Sequence, residues 1–163
     1  MGRVIVADTG PLIALAILDL LKIMPKMFSE VYITGGVLEE ALRDKSKPGA
    51  VAINKALQDG FIKRYEIKDT PFIKDLSKLL DRGEAESLAL ANQINAIALI
   101  DEKRGRKVAV SHNIVIIGTA AVLIKAKQSG HIKEIKPLLQ SLSEHGYRLS
   151  AGLINHVLNL GGE

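Results

Sequence analysis

Short runs of wholly apolar residues constrain the fold of this chain more than any other feature. Three of them, VIVA at 4–7, AIALI at 96–100 and IVII at 114–117, contain no polar residue, and each is followed by Asp or Gly. Runs of this length that end at turn-forming residues predict strands. Because neither face of such a strand is polar, both faces must be buried, as they are in a parallel sheet covered by helices on each side.

The rest of the chain alternates between short strand-like runs and segments with a helical spacing of apolar residues. Strands are predicted at 4–7, 31–33, 61–67, 96–100 and 113–117. Helices are predicted at 12–24, 37–43, 50–58, 73–80, 84–94, 104–110, 120–127, 135–145 and 151–160. This order predicts an α/β fold of three layers, α/β/α, with a central and mostly parallel sheet. The 163 residues suit one domain, so we expect residues 1–163 to form a single unit.

The composition excludes several classes of protein. The chain has no cysteine, which excludes disulfide scaffolds, thiolate metal sites and cysteine nucleophiles. Asp8 interrupts the first apolar run, so we expect no signal peptide, and no apolar run is long enough to span a bilayer. We therefore expect a soluble, cytoplasmic protein. The net charge of +4 is compatible with a polyanionic partner but does not identify one.

Carboxylates follow two of the predicted strands at the end of the sheet where ligands bind. Asp8 comes directly after the first strand, and Asp101 and Glu102 come directly after the fourth. In open α/β sheets, ligands bind beyond the carboxyl ends of the strands. These acids are therefore predicted to lie at one edge of the sheet.

Further acids are placed where they could reach the same edge. Glu39 and Glu40 lie on the helix after the second strand, where only one of the two can face the edge, and Glu84 and Glu86 begin the helix before the fourth strand. Carboxylates gathered at one edge repel each other unless cations neutralise them. A ligand set made only of oxygens suits Mg²⁺ or Mn²⁺, which activate water and bind substrate phosphates.

Each acid also has a purely structural interpretation. Asp8 could cap the following helix, and Glu84 could complement a helix dipole. Glu39 and Glu40 could form a solvated helix face, and Asp101 could belong to a turn. The convergence of four separate placements favours the metal site over these four independent explanations.

The chain resembles the PIN-domain family of metal-dependent nucleases in five segments, which are VIVADTGPLIALA, VYITGGVLEEAL, RGEAESLALA, ALIDEKRGRKVA and VIIGTAAVLIKAKQSG. The similarity extends over essentially the whole chain. Within the family it is greatest to small prokaryotic proteins related to the VapC-type toxins of toxin–antitoxin pairs.

The resemblance implies a compact parallel sheet with an acidic pocket that holds Mg²⁺ or Mn²⁺ and cleaves single-stranded RNA. Carried over to this sequence, the catalytic and metal-binding acids are Asp8, Glu40, Glu84 and Asp101. Glu86 is an alternative to Glu84, and Glu102 is a neighbour of or substitute for Asp101. Thr9 supplies a hydroxyl beside the first acid for the substrate. Relatives often form homodimers and are inhibited by a small antitoxin protein.

Basic residues follow the last predicted acids directly. In DEKRGRK these are Lys103, Arg104 and Arg106, with Lys107 after them. Positive side chains next to a cation and phosphate site would bind the RNA backbone. A solvated helix face accounts for the same residues, so both interpretations remain open.

Two other functions remain open from the sequence. A phosphoacceptor signalling domain would need a Lys after the last strand, where this chain has Ile117, Gly118 and Thr119, and it would need more acids next to Asp8. A non-catalytic PIN-like scaffold that binds RNA or a protein partner would not need the acids at all. The four histidines have no metal-ligand spacing, and neither a P-loop nor a G-x-G-x-x-G motif is present.

Overall fold

The computed structural model describes residues 3–163, which are built around a five-stranded sheet. The strand order is β3-β2-β1-β4-β5, and all four pairings are parallel. The central strand β1 pairs with β2 on one side, where Ile5 lies opposite Val31, and with β4 on the other, where Ile5 lies opposite Ile97. The strands are β1 (Val4–Ala7), β2 (Glu30–Ile33), β3 (Lys63–Arg64), β4 (Ile97–Leu99) and β5 (Ile116–Ile117).

Helices connect the strands and cover both faces of the sheet. Within residues 3–163 there are ten α-helices, and a 3₁₀ turn at Leu21–Ile23 precedes the second. The helices are α1 (Thr9–Ile17), α2 (Met24–Met27), α3 (Gly35–Ala41), α4 (Pro48–Gln58), α5 (Pro71–Ser77), α6 (Arg82–Ile94), α7 (Lys103–Ser111), α8 (Thr119–Gln128), α9 (Lys136–Glu144) and α10 (Ala151–Leu160).

Two hydrophobic clusters lie on opposite faces of the sheet. Ile5 and Ala7 of β1 belong to one cluster, together with residues of α1 to α4 and α8 to α10. Val6, between them, belongs to the other cluster, together with residues of α5, α6 and α7. Neighbouring residues of a strand point to opposite faces, so the apolar run VIVA is buried from both sides. The predicted three-layer α/β architecture is confirmed.

The helix predicted at 12–24 is wrong, because α1 ends at Ile17. Asp19 has a left-handed backbone with φ 56°. The amide of Asp19 donates to the carbonyl of Ala16, and the amide of Leu20 donates to that of Leu15. These two bonds form a Schellman turn, which stops a helix. The spacing of apolar residues continues through the turn because Leu18 and Leu20 are also buried, and this hid the break.

Two other predicted boundaries are also wrong. The strand predicted at 61–67 contains only Lys63 and Arg64, because β3 is an edge strand that pairs with β2 alone. Met24, the last residue of the helix predicted at 12–24, instead begins α2, which has Pro25 in its first turn, where the absence of an amide hydrogen costs nothing. In residues 3–163 the structure has no helix with the length and apolar character needed to cross a membrane.

Candidate active site at the carboxyl end of the sheet

A cavity of about 1030 Å³ opens at the carboxyl ends of the central strands. Residues that follow three strands line it: Asp8 after β1, Asp101 after β4 and Thr119 after β5. Glu40 of α3 and Glu84 of α6 line it as well. The four acids that were carried over from the family resemblance therefore face one cavity, although they come from four different elements.

Asp8 is the most deeply placed of these acids, with 6% of its surface exposed. It stands at the N-cap position of α1, but its carboxylate makes no capping hydrogen bond. Burial raises its pKa to about 7, and the negative charges of Glu84 and Glu40 add to the rise, while the nearby amide of Thr9 opposes it. The structural interpretation of Asp8 as a simple helix cap does not fit this geometry.

Glu84 is buried at the first turn of α6, with 8% of its surface exposed. Its Oε2 atom is buried and has no hydrogen-bond partner within residues 3–163. Burial raises the pKa of Glu84, and the charge of Asp81 adds to the rise. A buried carboxylate oxygen without a partner is unfavourable unless a cation or a donor reaches it.

Glu40 is the member of the Glu39–Glu40 pair that faces the cavity. It is exposed on α3, and its Oε2 accepts a hydrogen bond of 3.0 Å from Oγ1 of Thr9. Glu39 turns away and forms a 2.6 Å ion pair with Nη1 of Arg82. The expectation that only one of the two acids reaches the edge agrees with this arrangement.

Asp101 is held by three hydrogen bonds. Its Oδ1 accepts from the amide of Thr119 at 2.8 Å, and its Oδ2 accepts from Oγ1 of Thr119 at 2.6 Å and from the hydroxyl of Tyr147. Burial and the charge of Asp101 raise the pKa of Tyr147, so the phenol keeps its proton and acts as the donor. Glu102, the neighbouring acid, is exposed and also lines the cavity.

Glu86, the alternative to Glu84, does not line this cavity. Its Oε2 pairs with Nε of Arg82 at 2.7 Å, and its Oε1 accepts from the amide of Gly36 at 2.9 Å. Both oxygens of Glu86 therefore have partners between α3 and α6. The structure brings Glu84 to the other acids and leaves Glu86 outside.

Two of the three basic candidates lie at the cavity. Lys103 and Arg106 line it, and Nη1 of Arg106 donates to the carbonyl of Ile100 at 2.8 Å. Arg104 is exposed and does not line the cavity, although its charge lowers the pKa of Glu84.

Three residues at the cavity were missed by the sequence reasoning. Asp81 caps α6 by accepting a 2.9 Å hydrogen bond from the amide of Glu84, and the Asp-x-x-Glu spacing could have revealed it. Thr119 follows β5, so the rule that placed Asp8 and Asp101 would have placed it too. Tyr147 had no such signal, since it lies in the loop between α9 and α10.

Two glycines allow the acids to approach neighbouring elements closely. A Cβ atom on Gly83 would lie 3.0 Å from Oε2 of Glu40 and 3.2 Å from Oγ1 of Thr9. A Cβ atom on Gly118 would lie 2.8 Å from Oδ1 of Asp101. A side chain at either position would displace a cavity residue.

The donors of the cavity fit a hard divalent cation in their chemistry. All of its acidic groups are oxygen donors, and one carboxylate oxygen of Glu84 lacks a partner within residues 3–163. Burial, with a smaller contribution from neighbouring acids, raises the pKa of Asp8. Mg²⁺ and Mn²⁺ prefer such ligands. Across residues 3–163, however, no three His, Cys, Asp or Glu side chains are grouped closely enough to hold a metal ion. The carboxylates thus line one cavity but lie further apart than the ligands of a bound metal ion would.

Comparison with known proteins shows a match to one protein family. A family model, DUF3368, which is described as a PIN domain, matches residues 4–163. A solved domain of a functionally unknown protein from Methanocaldococcus jannaschii is 16% identical, with 72% of this chain and 91% of that chain covered and a TM-score of 0.47. A similarity this distant supports no conclusion about activity. No curated protein matches the chain.

Proposed function

This chain belongs to the PIN-domain family, whose members are in general nucleases, and we propose that it is a metal-dependent endoribonuclease that hydrolyses phosphodiester bonds of single-stranded RNA. The observation that carries the proposal is the convergence of Asp8, Glu40, Glu84 and Asp101 on one cavity at the carboxyl end of the sheet. A passive scaffold does not need four carboxylates at one cavity, and a phosphoacceptor domain would need a Lys after the last strand, where this chain has Gly118 and Thr119.

The carboxylates of the cavity would hold Mg²⁺ or Mn²⁺. Asp8 and Glu84 are buried, and Oε2 of Glu84 has no hydrogen-bond partner within residues 3–163. Asp101 is fixed by its hydrogen bonds, and Glu40 is oriented by Thr9. When bound, the ion supplies an activated water and stabilises the charge that develops on the phosphodiester. The PIN domain supports this assignment because such domains typically use divalent metals.

The basic residues at the cavity would bind the RNA backbone. Lys103 and Arg106 lie beside the acids, where their charges attract phosphate groups without reading the base sequence. Arg106 is anchored by the carbonyl of Ile100, so its guanidinium is kept near Asp101. The exposed Arg104 would contribute through its charge alone.

The resemblance to VapC-type toxins supports a biological role. We propose that the protein is the cytoplasmic toxin of a toxin–antitoxin pair, that it acts as a homodimer, and that a small antitoxin protein inhibits it. Inhibition by an antitoxin is tested by co-expression with the product of the neighbouring gene. We expect that product to co-purify with this protein and to abolish RNA cleavage.

Cleavage of a mixed pool of single-stranded RNA tests the proposed activity. We expect wild type to cleave with Mn²⁺ or Mg²⁺ and to stop when EDTA is added. Asp8→Asn should lower the rate roughly 100-fold or more, as expected when a cation ligand is lost. The matched control is Asp75→Asn, which removes an exposed carboxylate on α5 whose partner is the exposed Lys78.

The outcomes separate the proposal from its alternatives. Cleavage by the purified protein that survives both EDTA and Asp8→Asn would contradict a cation-dependent site. RNA binding without cleavage of any RNA in the pool would favour the non-catalytic scaffold.

A further inference from the structure

The hydrogen bonds of Asp101 restrict how that carboxylate can bind a cation. Each carboxylate oxygen accepts about two hydrogen bonds or metal contacts. Oδ2 already accepts from Oγ1 of Thr119 and from the hydroxyl of Tyr147, so both of its acceptor positions are taken. Oδ1 accepts only from the amide of Thr119. One position on Oδ1 is therefore left for a cation.

The fold brings Tyr147 to this carboxylate through a defined turn at the end of α9. The amide of Tyr147 donates to the carbonyl of Leu142 at 2.9 Å, and the amide of Gly146 donates to that of Ser143 at 3.0 Å. Gly146 has φ 82°. These are the two bonds and the left-handed residue of a Schellman motif. Glycine is needed there for its backbone conformation, since a Cβ atom on Gly146 would meet nothing within 4 Å.

The hydroxyl of Tyr147 reaches into the cavity, whereas its ring packs against the hydrophobic cluster. A Cβ atom on Gly10, two residues after Asp8, would lie 3.7 Å from that hydroxyl oxygen. The hydroxyl thus lies between the first turn of α1 and Asp101. Core packing alone would be satisfied by phenylalanine, so the oxygen itself requires an explanation.

We propose that Tyr147 is a positioning residue that, together with Thr119, fixes Asp101 so that it binds the cation through Oδ1 alone. The proposal rests on the proposed function, because it takes Asp101 as a cation ligand. It assigns a role in the site to the segment between α9 and α10, which lies 46 positions from Asp101 in sequence.

Equilibrium binding of Mn²⁺ in the absence of RNA tests this role. Tyr147→Phe removes only the donor oxygen, which frees a position on Oδ2 and lets the carboxylate rotate. Loss of a partner that orients a metal ligand lowers metal affinity by roughly tenfold or more, and we expect that loss here. The matched control is Tyr65→Phe, which removes the hydroxyl of a tyrosine that packs against Tyr32 away from the cavity. Thermal unfolding of each variant establishes that it is folded.

A double-mutant cycle shows whether Tyr147 acts through Asp101. In an Asp101→Asn background, Tyr147→Phe should have no further effect on Mn²⁺ affinity, because the oriented carboxylate is already gone. An effect that persists in this background would overturn the proposal. The proposal would also be overturned if Tyr147→Phe bound Mn²⁺ as tightly as wild type does.

RNA cleavage provides the second measurement. We expect Tyr147→Phe to lower kcat and to leave the KM for RNA unchanged, because the phenol contacts Asp101 and not the RNA-binding side chains. If wild type binds Mn²⁺ and Tyr147→Phe weakens that binding, but neither cleaves RNA, the positioning role stands and the proposed function fails. If wild type binds no Mn²⁺, the positioning role fails as well.

Discussion

Asp8 is buried at the end of the central strand, where its negative charge opposes folding in the absence of a cation. Its folded pKa is about 7, against an ordinary value of 3.8. Between these two values the folded state binds a proton that the unfolded state has lost, so stability falls as the pH rises from about 4 to 7. The burial of Asp8 therefore lowers the stability of the chain at neutral pH.

The first expected result concerns Asp8→Asn in EDTA. The variant cannot ionise at this position, so it should be more stable than wild type at pH 8. Its advantage should grow by up to about 3 kcal/mol between pH 5 and pH 8, as the shift of the pKa requires. Urea unfolding at the two pH values measures this, with Asp75→Asn as the control that should show no such trend. A gain in stability that does not change with pH would mean that the pKa of Asp8 is not raised in the folded protein.

The second expected result separates Glu84 from Glu86. Glu84→Gln should lower RNA cleavage roughly 100-fold, because its carboxylate faces the cavity, whereas Glu86→Gln should leave most of the activity. Glu86→Gln should instead weaken its partly exposed contact with Arg82, at a cost of about 1 kcal/mol or less. Cleavage rates and urea unfolding of both variants are the measurements. The reverse pattern of activities would place Glu86 in the site.

How well the site could be predicted depended on where its residues lie in the chain. Asp8 and Asp101 follow apolar strands directly, and the carboxyl-end rule placed both without a structure. Glu84 and Glu86 are two residues apart on one helix, and they differ in their tertiary contacts. Glu84 lines the cavity, whereas Glu86 is bound by Arg82 and by the amide of Gly36. Tyr147 reaches Asp101 through a long-range contact that no local pattern encodes.

At the scale of elements, the sequence predicted β1 and α10 better than the edge of the sheet. The bounds of β1 and α10 are those predicted, whereas the edge strand β3 is far shorter than predicted. An edge strand has only one partner, and natural proteins often keep edge strands very short. The turn at Asp19 was hidden because a non-glycine residue adopts the left-handed conformation there.

The third expected result concerns the contact between the C-terminal segment and α9. The Glu163 carboxylate accepts from the amides of Ile135 and Lys136 and from Nζ of Lys127, and these contacts lower its pKa to about 2. Its stabilisation is present in full above the ordinary pKa of about 4.5 and is lost as the pH falls through about 2. Glu163→Gln should therefore lower the Tm at pH 7 and lose this effect near pH 2.

The matched control for Glu163→Gln is Glu134→Gln, at an exposed glutamate just before α9. Its Tm at pH 7 should equal that of wild type. Thermal unfolding followed by circular dichroism measures all three proteins. Equal effects of the two substitutions would show that the loss of any negative charge in this region, and not the contact with the start of α9, lowers the Tm.

At the scale of the whole molecule, the two hydrophobic clusters share one sheet. Val6 belongs to one cluster and its neighbours Ile5 and Ala7 to the other, so neither face can lose its packing without exposing the central strand. We therefore expect the single unit predicted from the sequence to unfold in one cooperative transition. Calorimetry measures this, and the calorimetric and van't Hoff enthalpies should agree. Two separate transitions would contradict the single-domain prediction.

The most direct test of the proposed cation site is the location of Mn²⁺ in crystals of the wild-type protein, found from its anomalous scattering. We expect a peak in the cavity, with carboxylate oxygens of Asp8, Glu84 and Asp101 at about 2.1 Å and Asp101 bound through Oδ1. A peak beside Glu39 and Glu86, or a cavity that stays free of Mn²⁺ at saturating concentration, would contradict the proposal that these acids form one cation site.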